Sequence, residues 1–350
     1  MQKVDYLIVG GALSGICLAD SLAQNKQSFA LLTSPEKPAA SAVAAGTWNP
    51  LVFRKYTLSW RFESLYEGMK KRMAHFEILL NEKIFESLKI QKVISSASDQ
   101  DFWKTRAADP AMEAYMRVET EPSHFPANAV LAEISNGGRI HLKNLLHGYH
   151  QYASQQGFLI KKDFEHSQLQ FESGYWNYEN ISAKNILFCE GAHVQQNPFF
   201  NWLPFKPANG DTITIHAPGL KLQSILKKNI FVLPLGQDHF QVGATYNWEN
   251  LSWKASENAR KELEEKLKLI LNVPYEVVSQ SAGIRPATHD RRPFVGEHPE
   301  QKGLYLFNGM GSKGVLIAPK IAEEFVDHIL HGTPLDPEVD LKRCLKYYSM

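Results

Sequence analysis

Val4-Asp5-Tyr6-Leu7-Ile8-Val9-Gly10-Gly11-Ala12-Leu13-Ser14-Gly15 is the stretch that decides the fold. Asp5 to Val9 is a mostly apolar run of strand length that stops where glycine starts. Leu13, Ile16, Cys17 and Ala19 then keep helical spacing as far as Ala23, and Asn25-Lys26-Gln27 closes that helix. Ser28-Phe29-Ala30-Leu31-Leu32 reads as a second buried strand. Strand, glycine turn, helix and strand within about thirty residues make a βαβ unit, and predict a Rossmann-like α/β fold. A glycine turn lets the backbone approach a diphosphate, while the first helical turn aims unpaired N–H groups and a positive dipole end at it. Gly10, Gly11, Ala12, Ser14 and Gly15 are therefore the candidate diphosphate contacts; the other reading is a helix–strand contact that needs small residues. Two positions depart from the usual pattern. Ala12 replaces the second glycine, and Thr33 stands where an acidic residue normally accepts the ribose hydroxyls. Ser34 or Glu36 offers a substitute there, and the missing carboxylate weighs most against NAD.

Working outward, 350 residues suffice for a large core and predict two domains. A net charge of +1 with 21% charged residues argues against nucleic acid or an anionic membrane as partner, leaving a small molecule. Cys17, Cys189 and Cys344 have no metal-type spacing and fit free thiols in a reducing compartment. The chain enters its first strand at once, without room for a signal peptide, and no apolar run reaches membrane-spanning length. The expected location is cytoplasmic.

Pro35 to Pro50 is a loop of small residues, which is long enough to suggest function and able to lie flat against a planar ring. Lys55 to Leu88 has helical periodicity, with Phe62, Leu65, Met69, Met73 and Phe76 on one stripe. Ser95 to Asn136, broken by Pro110, Pro122 and Pro126, reads as connectors with short strands. Leu142 to Gln156 is an amphipathic helix, and a hairpin turns at Ser173-Gly174. Ala183 to Ala192 is a buried strand ending in Gly191-Ala192. From Asp211 to Tyr246 alternating strands joined by hairpins take over, followed by a charged amphipathic helix over Lys254 to Leu271. This reads as a second domain.

The C-terminal part carries Gly283-Ile284-Arg285-Pro286, Asp290 and Pro293. A strand, Gly303 to Phe307, then leads into the turn Asn308-Gly309-Met310-Gly311-Ser312-Lys313-Gly314 and a helix from Val315 to Leu330. Without a following strand this is no second dinucleotide site; its helix N-terminus could stabilise negative charge on a bound ring.

With these motifs in this order, and the Ala44-Ala45-Gly46-Thr47-Trp48-Asn49-Pro50 loop between them, the chain resembles the D-amino acid oxidase and glycine oxidase family of FAD-dependent oxidoreductases. The resemblance covers nearly the whole chain. It implies non-covalent FAD and a nucleotide domain from discontinuous segments, 1–55, 130–198 and 282–350. Residues 56–129 and 199–281 would form a substrate domain with a mostly antiparallel sheet. It also implies that Gly10, Gly11 and Gly15 face the diphosphate, and that Thr33 and Ser34 lie near the ribose. Ala44, Ala45, Gly46 and Thr47 would line the isoalloxazine, with Gly191 beside the cofactor. Gly309, Gly311, Ser312, Lys313 and Gly314 would approach the flavin's pyrimidine edge.

Arg285 matches the substrate carboxylate clamp, since a guanidinium can bind two carboxylate oxygens at once. Its other reading is an ion pair with Asp290. Tyr246 and Trp48 are candidate pocket walls, or core residues. Lys313 is either near the flavin or on the surface. His141, His216 and His239 are read as structural or exposed, and no metal-ligand cluster or Ser/His/Asp spacing stands out. The implied reaction is oxidation of the C–N bond of an amino acid or related secondary amine by hydride transfer to flavin N5. The alternatives are a 2-hydroxy acid oxidase or dehydrogenase, and a flavin-binding protein without turnover.

Overall fold

The computed structural model describes residues 1–118 and 130–348. Pro122 and Pro126, expected to break the connector over Ser95 to Asn136, lie outside the described residues.

The opening βαβ unit is strand Gln2–Val9, helix Leu13–Gln24 and strand Phe29–Thr33. Both strands are parallel, and Leu159–Lys161 extends the sheet beyond Phe29–Thr33. On its other side Gln2–Val9 pairs in parallel with Ile181–Phe188. That strand changes neighbour along its length: its start pairs with the Tyr175–Tyr178 arm of the predicted hairpin, its end with Leu304–Asn308. Tyr6 and Ile8 face one core cluster and Leu7 and Val9 another, so both faces are covered. A strand buried on two sides has no polar alternation, which explains the unbroken apolar run at Leu7-Ile8-Val9.

The second large sheet runs Glu276–Arg285, Ala208–His216, His239–Gly243, Phe231–Gly236, Ile225–Lys227, Ile90–Ile94, Val130–Ile134, Met116–Val118. All its pairs are antiparallel except Ile225–Lys227 with Ile90–Ile94. Helix Glu257–Lys268 lays Leu263 and Leu267 against Ile213, Ile215 and Val242, covering one face. Its cap is Ser256, whose Oγ accepts from the Ala259 N–H at 3.2 Å. Among the described residues no helix is long and apolar enough to cross a membrane.

Three segments differ from expectation. The helical stretch 55–88 is a helix only over Phe62–Leu80. Arg61 and Asn81 sit in the left-handed region at φ 48° and 50°, and the flanks become the strands Thr57–Leu58 and Phe85–Ser87. Residues 97–107, expected as a connector, form a helix capped by Ser96, whose Oγ accepts from Asp99 N–H at 3.2 Å. Phe102 and Trp103 are adjacent rather than spaced, so it lacks the apolar stripe that reveals a helix. The Pro35–Pro50 loop contains one turn of helix, Ala40–Val43, and the strand Thr47–Trp48.

Helix Leu13–Gln24 is tied to helix Phe62–Leu80 by a buried ion pair between Asp20 and Arg72. Ser21 Oγ accepts from Arg72 Nη2 at 2.7 Å, and His75 Nε2 lies 3.0 Å from Asp20 Oδ1.

Candidate active site

The glycine corners of the first sheet and one face of the second sheet meet around a single cleft of about 620 Å³. Gly10 and Gly311, three hundred residues apart in the chain, both line it.

At the first corner Gly10 adopts φ +112°, and a Cβ there would sit 2.5 Å from the carbonyl oxygen of Cys189, the residue after the neighbouring strand Ile181–Phe188. Only glycine fits. A Cβ at Gly15 would lie 1.8 Å from the Gly10 oxygen, so Gly15 allows the helix to start close behind the turn; it does not line the cleft. The N-cap, Ala12, has no side-chain acceptor, and the first turn contains no acid. The helix therefore opens on uncapped N–H donors with no competing carboxylate, a donor set that fits a diphosphate. Gly11 answers a different constraint: its Cβ would lie 2.6 Å from that of Thr33. The Ser34 hydroxyl accepts from the backbone N–H of Glu36 and Lys37 at 3.1 and 2.7 Å, fixing the turn after the second strand.

The Ala44–Thr47 segment is held against the backbone of Ile140. Gly46 has φ +70° and no room for a Cβ, which would sit 2.1 Å from the Ile140 oxygen. The Ile140 N–H donates to the Gly46 carbonyl at 2.9 Å.

Asn308, expected only as the first residue of the second glycine turn, locks the remaining corners together. Its buried amide donates to the Gly191 carbonyl at 2.9 Å and accepts from the Gly309 N–H at 2.8 Å. The signal was one polar residue closing an apolar strand just before glycine. Gly309, at φ +83°, packs on Thr288 and lies off the cleft, whereas Gly311, Ser312 and Gly314 line it. Lys313 also lies off the lining; its ammonium donates to the Leu51 carbonyl at 3.5 Å, and burial pushes its pKa down to about 8.

Of the proposed pocket walls, Tyr246 lines the cleft and Trp48 does not. Trp48 is a core residue, stacked on Phe85 at 4.7 Å with its Nε1 donating to the Asn136 carbonyl at 3.1 Å. His141, His216 and His239 lie off the lining: His141 faces Glu86, and His216 and His239 face each other.

Arg285 ends the strand Glu276–Arg285 and projects into the cleft. Its guanidinium lies across Gly210, where a Cβ would come within 2.2 Å of Nη2, and Tyr246 stacks over it at 4.8 Å. Nη1 donates to the Asn209 carbonyl at 3.1 Å and Nη2 to that of Thr245 at 3.4 Å. Asp290, the alternative partner, is bound by Arg343 at 3.2 Å. Among the described residues no carboxylate pairs with Arg285, and burial lowers its pKa from the ordinary arginine value. A half-buried guanidinium held by two carbonyls and the Tyr246 ring, with no carboxylate, is placed to receive an anion from the cleft.

A family model described as FAD dependent oxidoreductase (DAO) matches residues 5–328. The glycine oxidase of Geobacillus kaustophilus is 23% identical over 349 residues, covering 91% of this chain and 90% of that one. A tRNA 5-methylaminomethyl-2-thiouridine biosynthesis bifunctional protein from Idiomarina loihiensis is also 23% identical. The match takes in 92% of this chain but spans only 55% of the relative's length. Among solved structures, the G. kaustophilus glycine oxidase superposes with a TM-score of 0.80 at 20% identity, covering 96% of both chains. An iminodiacetate oxidase from a Chelativorans species gives 0.78 at 20% identity, with 97% and 98% covered. At these identities the superpositions establish the shared fold.

Proposed function

This chain belongs to the DAO family of FAD-dependent oxidoreductases, and on that premise we propose that it oxidises the C–N bond of an amino acid or a related secondary amine. FAD, when bound, supplies the hydride acceptor at N5, and the imine so produced is hydrolysed by water to a keto acid and ammonia or an amine. The observation that carries the reading is Arg285, a guanidinium without a carboxylate partner among the described residues, facing the cleft where Ala44–Thr47 would receive the flavin ring. The glycine oxidase similar over nine-tenths of both chains supports an amino acid as the substrate class.

The chain's own task is binding and orientation. The uncapped start of helix Leu13–Gln24 would hold the diphosphate, and Thr33 and Ser34 the ribose side. The turn from Gly311 to Gly314 would hold the pyrimidine edge. Arg285 would bind the substrate carboxylate through the N–H groups not engaged by Asn209 and Thr245, and Tyr246 would limit movement above it. Fixing the carboxylate fixes the α-carbon, so its C–H is presented in one direction. No residue needs to act as a general base for this step.

A 2-hydroxy acid would present the same carboxylate to Arg285. Assaying the products separates the two: ammonia or an amine accompanies the keto acid only when a C–N bond is oxidised.

Gly10→Ala is expected to weaken FAD retention by roughly 1–3 kcal/mol, because the new methyl meets the Cys189 carbonyl in a backbone conformation that disfavours side chains. The visible-to-ultraviolet absorbance ratio of the purified protein reads this directly. At Gly191, where a Cβ would meet nothing within 4 Å, alanine should cost less.

A further inference from the structure

We propose that the substrate carries two anionic groups, one bound by Arg285 and the other by Lys227, so that the preferred amine bears a second carboxylate or phosphate. This rests on the amine-oxidising reading above and names its substrate class.

The sheet register puts both cations on one face. Lys227 lies opposite Phe231, Phe231 opposite Gly243, and Gly243 opposite Thr212. Thr212, Gly210 and Ala208 alternate along their strand opposite Ser281, Gly283 and Arg285. Paired residues share a face and successive alternate residues return to it, so Lys227 and Arg285 project from the same side. Both line the cleft. Gly210, Gly243 and Gly283 lie between them, with Thr212 and Phe231 beside Gly243 and Val43 against Gly283.

The neighbouring cations have their own anions, and Lys227 does not. Lys92, opposite it on the next strand, pairs with Asp99 at 3.1 Å, and Lys266 pairs with Glu262. Among the described residues Lys227 forms no ion pair; its ammonium lies 5.8 Å from the centre of the Phe53 ring. Burial and the positive charges of Lys92, Arg285 and Lys266 pull its ammonium down to about 8, so its surroundings favour an incoming anion. A monocarboxylate amine would satisfy Arg285 and leave that charge unmatched, whereas a substrate with a second anion matches both.

The test uses non-oxidisable sulfur analogues on the FAD-bound protein, followed by calorimetry. Methylthioacetate carries one carboxylate. (Carboxymethylthio)alkanoates with one to four methylenes before the second carboxylate, and their phosphonate counterparts, carry two anions. At least one dianion should bind the wild type roughly tenfold tighter or more than methylthioacetate. Lys227→Met should remove that advantage and Lys227→Arg should keep most of it, while methylthioacetate affinity changes by far less than the dianion's and FAD content is kept. Whether the carboxylates or the phosphonates bind best identifies the second group. The inference is overturned if no dianion beats methylthioacetate on the wild type. It is equally overturned if Lys227→Met keeps the advantage, or loses FAD while the preference persists. Failure of the parent reading looks different: methylthioacetate would then bind as well to Arg285→Ala as to the wild type.

Discussion

Arg285→Ala should weaken binding of carboxylate substrates by about 2–5 kcal/mol while the protein keeps its FAD, the range for removing one member of a buried, hydrogen-bonded charge pair. The magnitude follows from the surroundings of the guanidinium. It is packed between the Gly210 backbone and the Tyr246 ring and anchored by two carbonyls, so its position is fixed before substrate arrives. Little ordering is then lost on binding, and most of the charge-assisted hydrogen bonding is realised as affinity. Arg285→Lys should recover only part of the loss, because an ammonium cannot present two parallel N–H groups. Equilibrium binding of methylthioacetate, with the flavin spectrum as a control, measures both variants. Unchanged affinity in Arg285→Ala would remove this residue from the site.

The second large effect concerns stability. Arg72→Met should destabilise the protein by about 3–5 kcal/mol, because it leaves Asp20 as a buried charge without its principal partner. Asp20 and Arg72 have side chains 4% and 6% exposed, so water cannot take over from the missing guanidinium. Gln24 Nε2 and His75 Nε2 still approach Asp20 at 2.8 and 3.0 Å, but neither replaces a permanent positive charge. Converting Asp20 to Asn in the same chain should return a large share of the loss, since the double variant buries no net charge. Urea midpoints of the FAD-saturated single and double variants give the comparison. Turnover per bound flavin should be unchanged, because neither residue lines the cleft. A single variant as stable as the wild type would show that the pair contributes nothing to holding the two helices together.

Much of this was legible in the sequence because it depends on local rules. The run from Asp5 to Val9, the glycines at 10 and 15 and the helical spacing after Leu13 each constrain backbone geometry within a few residues, and all three predicted the nucleotide-binding unit. Arg285 and the glycine turn before Gly314 were legible as motifs. The remainder depends on what touches what across long sequence distances. Trp48 directly follows the cleft-lining stretch Val43 to Thr47, yet it turns inward to stack on Phe85, a partner no local pattern names. Lys313 follows two cleft-lining residues but turns its ammonium toward Leu51. Gly11 is small because of Thr33, and Gly210 because of Arg285; each reason lies on a neighbouring strand. Lys227 gave no signal at all. A lysine in a run of charged and polar residues resembles a solvated turn until the sheet register sets it on the same face as Arg285.

Anaerobic addition of an amino-acid and secondary-amine panel to the yellow, FAD-bound protein, with product analysis after reoxidation, tests the central claim most directly. The account predicts that at least one carboxylate-bearing amine bleaches the flavin band and yields a keto acid together with ammonia or an amine. Bleaching confined to 2-hydroxy acids, or a spectrum that no amine changes, would contradict it.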